Sequence, residues 1–273
     1  MDYHPYLLKA IQASIEAGQA ILEVYGSDFT VEYKEDQSPL TLADQRSNEV
    51  ITRRLKGVGL PILSEEGKDI DYDQRRHWHR LWVVDPLDGT KEFIKRNGEF
   101  TVNIALVERG RPVLGVILVP AKEVLYFAAS RLGAYKLEHA SSLETPGEVI
   151  SLDALVNKAH KLPLSGSRPS TLTIVGSRSH VTPELEAYVA EKRRQHGDIE
   201  YVSAGSSLKF CLVAEGRADI YAKLGPTMEW DTAAGQAISE NSGAQVLEYE
   251  TNAPLTYNKQ NLLNPWYLVQ RDT

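Results

Sequence analysis

An apolar run, Leu81-Trp-Val-Val, ends on Asp85-Pro-Leu-Asp88-Gly-Thr90. The run reads as a strand, Pro86 stiffens the turn after it, and Asp88 comes three positions after Asp85. Gly89 permits close backbone approach, and Thr90 is expected to open a helix as its N-cap. Two carboxylates at a strand's end beside helix amides suit a divalent cation plus a phosphate. Hard cations such as Mg²⁺ take oxygen ligands, and the free amides of a helix start favour an anion. Alone, Asp-x-x-Asp is also a common turn and cap pattern. Two further acidic segments change that balance. Ser64-Glu65-Glu66-Gly67 follows a short apolar strand, and Glu229-Trp-Asp231-Thr-Ala-Ala-Gly235 opens a helix, with Asp231 expected as its cap. Singly, adjacent glutamates read as a solvated pair and a helix-start aspartate as a cap.

The elements that must position these groups alternate in kind. His4–Tyr25 carries Leu8, Ile11, Ile15 and Leu22 at helical spacing, and Gly26 follows it. A hairpin-like stretch around Phe29–Tyr33 comes next, then a second helix over Thr41–Lys56. Phe100–Val107 and Val113–Val119 are β-branched runs split by Glu-Arg-Gly-Arg-Pro, and Val124–Ala128 and Ala134–Lys136 extend the same antiparallel sheet. Beyond the polar stretch Glu138–Val149 the pattern becomes strand, helix, strand. Leu172–Val175 and Ala218–Leu224 read as strands, and Ser206–Ala214 and Asp231–Asn241 as helices closed by Gly216 and Gly243. We expect a mixed α/β (α+β) chain in two halves, residues 1–145 with most acidic candidates and residues 146–273 with Asp231.

Composition narrows the function classes. The 273 residues are 42% hydrophobic and 25% charged, as in ordinary globular domains. Thirty Lys plus Arg against 37 Asp plus Glu give a formal charge of −7, which argues against a nucleic-acid binder. One cysteine, Cys211, excludes an internal disulfide and a Cys-rich zinc site. His77 and His79 sit in a polar stretch without a third ligand, and no Gly-x-x-x-x-Gly-Lys-Ser/Thr loop is present. No run approaches the ~20 apolar residues of a membrane span, and the first residues lack the basic start of a secretory signal. A cytoplasmic location is expected.

Together with Thr41-Leu-Ala-Asp44, the acidic segments match one family in wording and order. A Glu-Glu pair, then Asp-Pro-Leu-Asp-Gly-Thr, then Trp-Asp-x-Ala-Ala-Gly resembles the lithium-sensitive, magnesium-dependent phosphatases that include inositol monophosphatases and fructose-1,6-bisphosphatases. The longer stretch from Asp85 through Lys91-Glu92-Phe93 to Asn103 is similar to the 3'(2'),5'-bisphosphate nucleotidase branch, which acts in sulfate assimilation. The resemblance implies a layered αβαβα sandwich with the site between its halves. It also implies two or three Mg²⁺ per site. Glu65 would hold the first metal and meet the attacking water, Asp85 would bridge two metals, and the Leu87 carbonyl would complete the first site. Asp88 and Asp231 would hold the second. Thr90 would orient the water, with Asp44 behind it as proton acceptor.

For the substrate, Gly89, Thr90 and Asp231 border the reacting phosphate in this reading. Ser177 and His180, in Val175-Gly-Ser-Arg-Ser-His, match the branch's Ser-Arg-Ser-His segment, where serine and histidine meet the nucleotide. Ser206 and Lys209, in Ser206-Ser-Leu-Lys, match its Ser-x-x-Lys element and would meet the phosphate that is not cleaved or the ribose. Lys223 is a further candidate for that phosphate. The expected partner is a small nucleotide bisphosphate, 3'-phosphoadenosine 5'-phosphate, cleaved to AMP and phosphate. An inositol or general sugar phosphatase stands as the alternative, and a non-catalytic phosphonucleotide sensor as a third reading. Oligomeric state and peripheral membrane association stay open.

Overall fold

The computed structural model describes residues 2–33, 39–67, 70–143, 151–166, 171–177 and 182–271. The chain begins with helix α1 (His4–Tyr25), started by Pro5 and stopped at Gly26. A short antiparallel pair, β1 (Val31–Tyr33) and β2 (Pro39–Thr41), leads into α2 (Leu42–Lys56). The next elements are β3 (Ile62–Ser64), a one-turn α3 (Tyr72–Arg75), β4 (Arg80–Asp88) and α4 (Thr90–Ile94). A meander continues through β5 (Thr101–Glu108), β6 (Arg111–Val119), β7 (Val124–Ala129) and β8 (Gly133–Leu137). Then come α5 (Leu152–Lys158), β9 (His160–Lys161), β10 (Leu172–Gly176), α6 (Pro183–His196) and β11 (Ile199–Ser203). The last elements are α7 (Leu208–Glu215), β12 (Ile220–Lys223), α8 (Glu229–Asn241), β13 (Gln245–Glu248) and β14 (Tyr267–Gln270).

Two sheets result. One runs β3-β4-β5-β6-β7-β8-β9, antiparallel except for the parallel pair β3 and β4. The other runs β11-β10-β12-β14-β13, with β10 parallel to both its neighbours. Helices α1 and α2 pack on one face of the larger sheet and α8 on the other, with α7 against α8 and the smaller sheet. Helix α6 lies against β11. The order is helices, sheet, helices, sheet, helix: the expected αβαβα sandwich.

Strand alternation shows why this order is stable. Trp82, Val84, Ile104 and Val116 face the α1–α2 core, whereas Leu81, Val83, Ala105 and Ile117 face the core around α7 and α8. Both faces of the central strands are covered, so their sequences are continuous apolar runs. In the smaller sheet Val175 and Tyr221 join the inner core, and Ile174, Ile220 and Ala222 pack with Leu185 of α6. Among the described residues no helix is long and apolar enough to cross a membrane.

Several expected boundaries shift. Leu152 and Leu155 of α5 join the α1–α2 core and β9 pairs with β8, so the seven-stranded sheet runs past the division expected at residue 145. The polar stretch before Arg80 contains α3, whose Arg75 is buried and donates to the carbonyls of Lys259 and Gln260. Helix α8 starts at Glu229, not Asp231, and α7 starts at Leu208 rather than Ser206.

Helix α8 sits so close to β6 that Gly115 has no room for a side chain. A Cβ there would lie 2.9 Å from the Ala237 Cβ and press on the Ala234 carbonyl oxygen. Gly115→Val is therefore expected to destabilise the protein by roughly 1–3 kcal/mol through overpacking. Urea unfolding monitored by tryptophan fluorescence checks this, and an unchanged midpoint would contradict the packing described.

Candidate active site

Strand β4 carries its two aspartates past a break in register. Asp85 pairs with Asn103 of β5, but Asp88 pairs with Thr101, so three steps on β4 oppose two on β5. In a regular strand, residues three apart point to opposite faces. The bulge resets that alternation and bends the strand, which puts both carboxylates on one side. Asp85, Asp88 and Asp231 then present carboxylate oxygens that all lie within 4.8 Å of one another. Among the described residues this is the group of its kind that could hold a metal, and His77 and His79 belong to none.

Each member is fixed by its own local device. Asp85 Oδ1 accepts from the Leu87 N–H at 3.1 Å, and the Pro86 carbonyl accepts from the Ser47 hydroxyl at 2.7 Å. Asp88 Oδ2 accepts from Ser207 at 2.8 Å, with Asn103 Nδ2 and Thr101 Oγ1 at 3.4 and 3.5 Å. Asp231 is the third residue of α8, not its cap, and its Oδ2 accepts from the Met228 N–H at 2.8 Å. The Glu65 N–H donates to the Val84 carbonyl at 3.1 Å, placing its side chain beside Asp85. An all-oxygen donor set, with the Leu87 carbonyl next to it, fits a hard divalent cation.

Thr90 is the first residue of α4 rather than its cap; that place belongs to Gly89, at φ 89°. A Cβ on Gly89 would fall 2.5 Å from Ser206 Oγ, so glycine serves both the left-handed turn and the close approach. Thr90 Oγ1 donates to Asp44 Oδ1 at 3.2 Å and lies 3.5 Å from the Leu87 carbonyl oxygen. Asp44 is buried, and its Oδ2 accepts from Thr41 N–H and Thr41 Oγ1, each at 2.7 Å. One carboxylate thus caps α2 and holds Thr90.

A cavity of about 260 Å³ brings Glu65, Asp88, Gly89, Thr90 and Asp231 together with Ser177, Ser206, Lys209 and Lys223. The Ser206 hydroxyl donates to the Glu99 carbonyl. Lys209 is buried and donates to the carbonyls of Ser206 and Ala204 at 2.5 and 3.4 Å, with Nζ 5.4 Å from the Tyr221 ring centre. Burial pushes its ammonium down to about 8, against the pull of Asp88. Burial likewise lowers Lys223. His180 lies outside the described residues. Ser207, Asn103, Thr101 and Ser47 escaped the sequence reading. The visible signal was a polar side chain inside an apolar run, as at Thr101 and Asn103 of β5.

The family model for the inositol monophosphatase family matches residues 2–269. The chain belongs to that family. The 3'(2'),5'-bisphosphate nucleotidase CysQ of Salmonella typhimurium is 42% identical over 267 residues, 96% of this chain and 98% of that protein. The crystal structure of CysQ from Bacteroides thetaiotaomicron superposes with a TM-score of 0.91 at 47% identity, covering 99% of this chain and 98% of that one. An inositol monophosphatase from Zymomonas mobilis, at 24% identity and a TM-score of 0.71, shares the fold. The acidic cluster therefore sits in an inositol monophosphatase scaffold.

Crowding has a measurable consequence for this inositol monophosphatase family member. Burial, with Glu65 and Asp88 nearby, raises Asp85 well above the usual carboxylate range, and burial with Asp88 raises Asp231 to about 7. Between about pH 4 and 7 the unfolded chain releases protons that the metal-free fold retains. Metal-free stability is thus fullest at the acid end and is lost as pH rises through 7. The melting temperature without metal should fall by a few degrees between about pH 5.5 and about pH 8. Added divalent cation should raise it more at the higher pH, because the cation takes the proton's place. Differential scanning fluorimetry with and without chelator tests this, and a metal-free melting point that rises over that range would contradict it.

Proposed function

We infer that this chain is a Mg²⁺-dependent 3'(2'),5'-bisphosphate nucleotidase, a phosphatase that cleaves 3'-phosphoadenosine 5'-phosphate to AMP and phosphate. The observation that carries the reading is one cavity lined both by carboxylates of the acidic cluster, Asp88 and Asp231 with Glu65, and by lysines, Lys223 and the buried Lys209 among them. The first suits a cation and a reacting phosphate, and the second a further anion. The name of the Salmonella relative supplies the substrate class. We place the activity in the cytoplasm, in sulfate assimilation and the recycling of the by-product of sulfonation.

In this reading Glu65, Asp85, Asp88, Asp231 and the Leu87 carbonyl would hold the Mg²⁺ ions. Bound there, such ions would supply charge neutralisation for the phosphoryl group and a lowered pKa for a nearby water. Phosphoryl transfer needs mainly positioning and charge stabilisation, so no protein nucleophile is required. Thr90 Oγ1 spends its proton on Asp44 and is left to accept one from the attacking water. Asp44 takes that charge shift, with Thr41 holding its other oxygen in place. Water adds to phosphorus and gives up a proton through Thr90 to Asp44, the bond from phosphorus to the ribose 3' oxygen breaks, and that oxygen takes a proton from a solvent water. Gly89 lets the backbone approach the reacting phosphate. Lys209 and Lys223, with Ser177, Ser206 and His180, serve the rest of the nucleotide.

A phosphate-release assay on 3'-phosphoadenosine 5'-phosphate and on inositol 1-phosphate, with Mg²⁺ and with chelator, tests the function. Turnover of the bisphosphate that needs Mg²⁺ and exceeds turnover of the inositol ester supports it. The reverse preference would make the chain an inositol phosphatase, and binding without turnover a sensor. Lys209→Ala should raise KM for the bisphosphate roughly tenfold, about 1.4 kcal/mol, and barely change the inositol ester. An equal loss on both substrates would assign Lys209 to the scaffold instead.

A further inference from the structure

Two adjacent serines lead into α7, with opposite duties. Ser206 has a left-handed backbone (φ 45°) and donates its hydroxyl to the Glu99 carbonyl. Ser207, almost fully buried, turns the other way. Its Oγ lies 2.8 Å from Asp88 Oδ2 and 3.1 Å from the Asp231 carbonyl oxygen, and it accepts from Asn103 Nδ2 at 2.9 Å. A hydroxyl carries one proton and two acceptor lone pairs. With Asn103 donating to it, that proton is directed to Asp88 or to the Asp231 main chain.

Resting on the metal reading above, we propose that Ser207 is a positioning residue of the metal centre. It ties Asp88, on the seven-stranded sheet, to the first turn of α8 that carries Asp231. Asp88 Oδ2 is held by Ser207, and Asp88 Oδ1 takes no part in these contacts and remains for a cation. Without the hydroxyl, Asp88 would keep only the longer contacts to Asn103 and Thr101, at 3.4 and 3.5 Å. The Asp231 carbonyl would lose its link to α7. The two carboxylates would then separate under their own repulsion, and the cation would have to reassemble them. Partners that orient a ligating carboxylate typically alter metal affinity by 10–100-fold. Ser207 thereby also joins the metal centre to Ser206 and to the first turn of α7, which bears Lys209.

The test compares wild type, Ser207→Ala, Ser207→Thr and Asn103→Leu, with Asp88→Asn as the reference for a lost ligand. Mg²⁺ binding to metal-free protein is measured by titration calorimetry in the absence of substrate, alongside Mg²⁺-dependent phosphate release. Ser207→Ala should weaken Mg²⁺ binding roughly tenfold or more and raise the Mg²⁺ needed for half-maximal turnover by a similar factor. KM for the bisphosphate at saturating Mg²⁺ should move less than about twofold. Ser207→Thr keeps the hydroxyl and should restore most of the affinity. Asn103→Leu, which removes the orienting donor at nearly constant volume, should weaken Mg²⁺ binding by a smaller factor and serves where Ser207→Ala does not fold. Unchanged Mg²⁺ binding in Ser207→Ala and Asn103→Leu, with binding lost in Asp88→Asn, overturns the role of Ser207. So does a loss confined to KM, which would make Ser207 a substrate contact. Unchanged binding in Asp88→Asn overturns the metal reading itself, and this inference with it.

Discussion

Carboxylates held close together repel, and the architecture of this chain is organised around bearing that cost. At about 4 Å and an effective dielectric near 20, two such charges repel by roughly 4 kcal/mol. Three of them converge here, with Glu65 beside Asp85. Side chains on flexible loops would swing apart or take up protons. The fold instead distributes the restraint: the Ser47 hydroxyl and the Asp85 side chain fix the Asp85–Asp88 turn, and Ser207, Asn103 and Thr101 grip Asp88. Helix α8 brings Asp231 from the far side of the chain. Its seat is rigid because Glu229, fully buried, accepts from the N–H groups of Asn258 and Lys259 and from Lys259 Nζ at 2.7 Å. Asn264 adds a bond to the Met228 carbonyl at 2.7 Å. The raised pKa values of Asp85 and Asp231 record what remains unrelieved: a site that favours protons or cations over its own bare charges.

The same constraint explains the seam between the two sheets. Glu99, just ahead of β5, accepts from the Gly205 N–H at 2.9 Å through its side chain and from Ser206 through its carbonyl. Farther along, Glu215 at the end of α7 is buried and meets Tyr126 Oη at 2.5 Å and Lys136 Nζ at 3.1 Å, both from the larger sheet. Truncating either partner of such a buried pair would leave an uncompensated charge, so the contact resists separation of the layers. A site assembled from both sheets keeps its geometry only if the layers do not slide.

Much of this was legible in the sequence, for identifiable reasons. Helices α1 and α2 were readable from apolar spacing closed by glycine, and the β4–β8 run from continuous β-branched residues. The carboxylates stood out because Asp85, Asp88 and Asp231 each interrupt an apolar or small-residue context. What escaped depends on tertiary partners. Nothing in Ser206-Ser207 says which hydroxyl faces the carboxylates; Ser206, in a left-handed turn, bonds to the Glu99 carbonyl, and Ser207 to Asp88. The bulge between Asp85 and Asp88 is a pairing event with β5 and has no local signature. The two-residue β9 is placed by its neighbour β8, and strand β14 by β12 and β13 on its two sides, rather than by any strong pattern of their own.

The lysines follow from the carboxylates. A buried ammonium is costly, and burial alone would drive Lys209 neutral well below the usual lysine range. Asp88, Glu92 and Asp231 offset that cost, while Lys223 adds to it. A cation taken up by Asp88 and Asp231 cancels part of the support, so Lys209 and Lys223 then gain more from an arriving anion than they would in the metal-free protein. The coupling is reciprocal: an anion on the lysines restores what the cation removed. A ligand with one phosphate neutralises the cation side only. A ligand with two would satisfy both poles of the cavity, which is the physical ground for proposing a bisphosphate rather than a monophosphate ester.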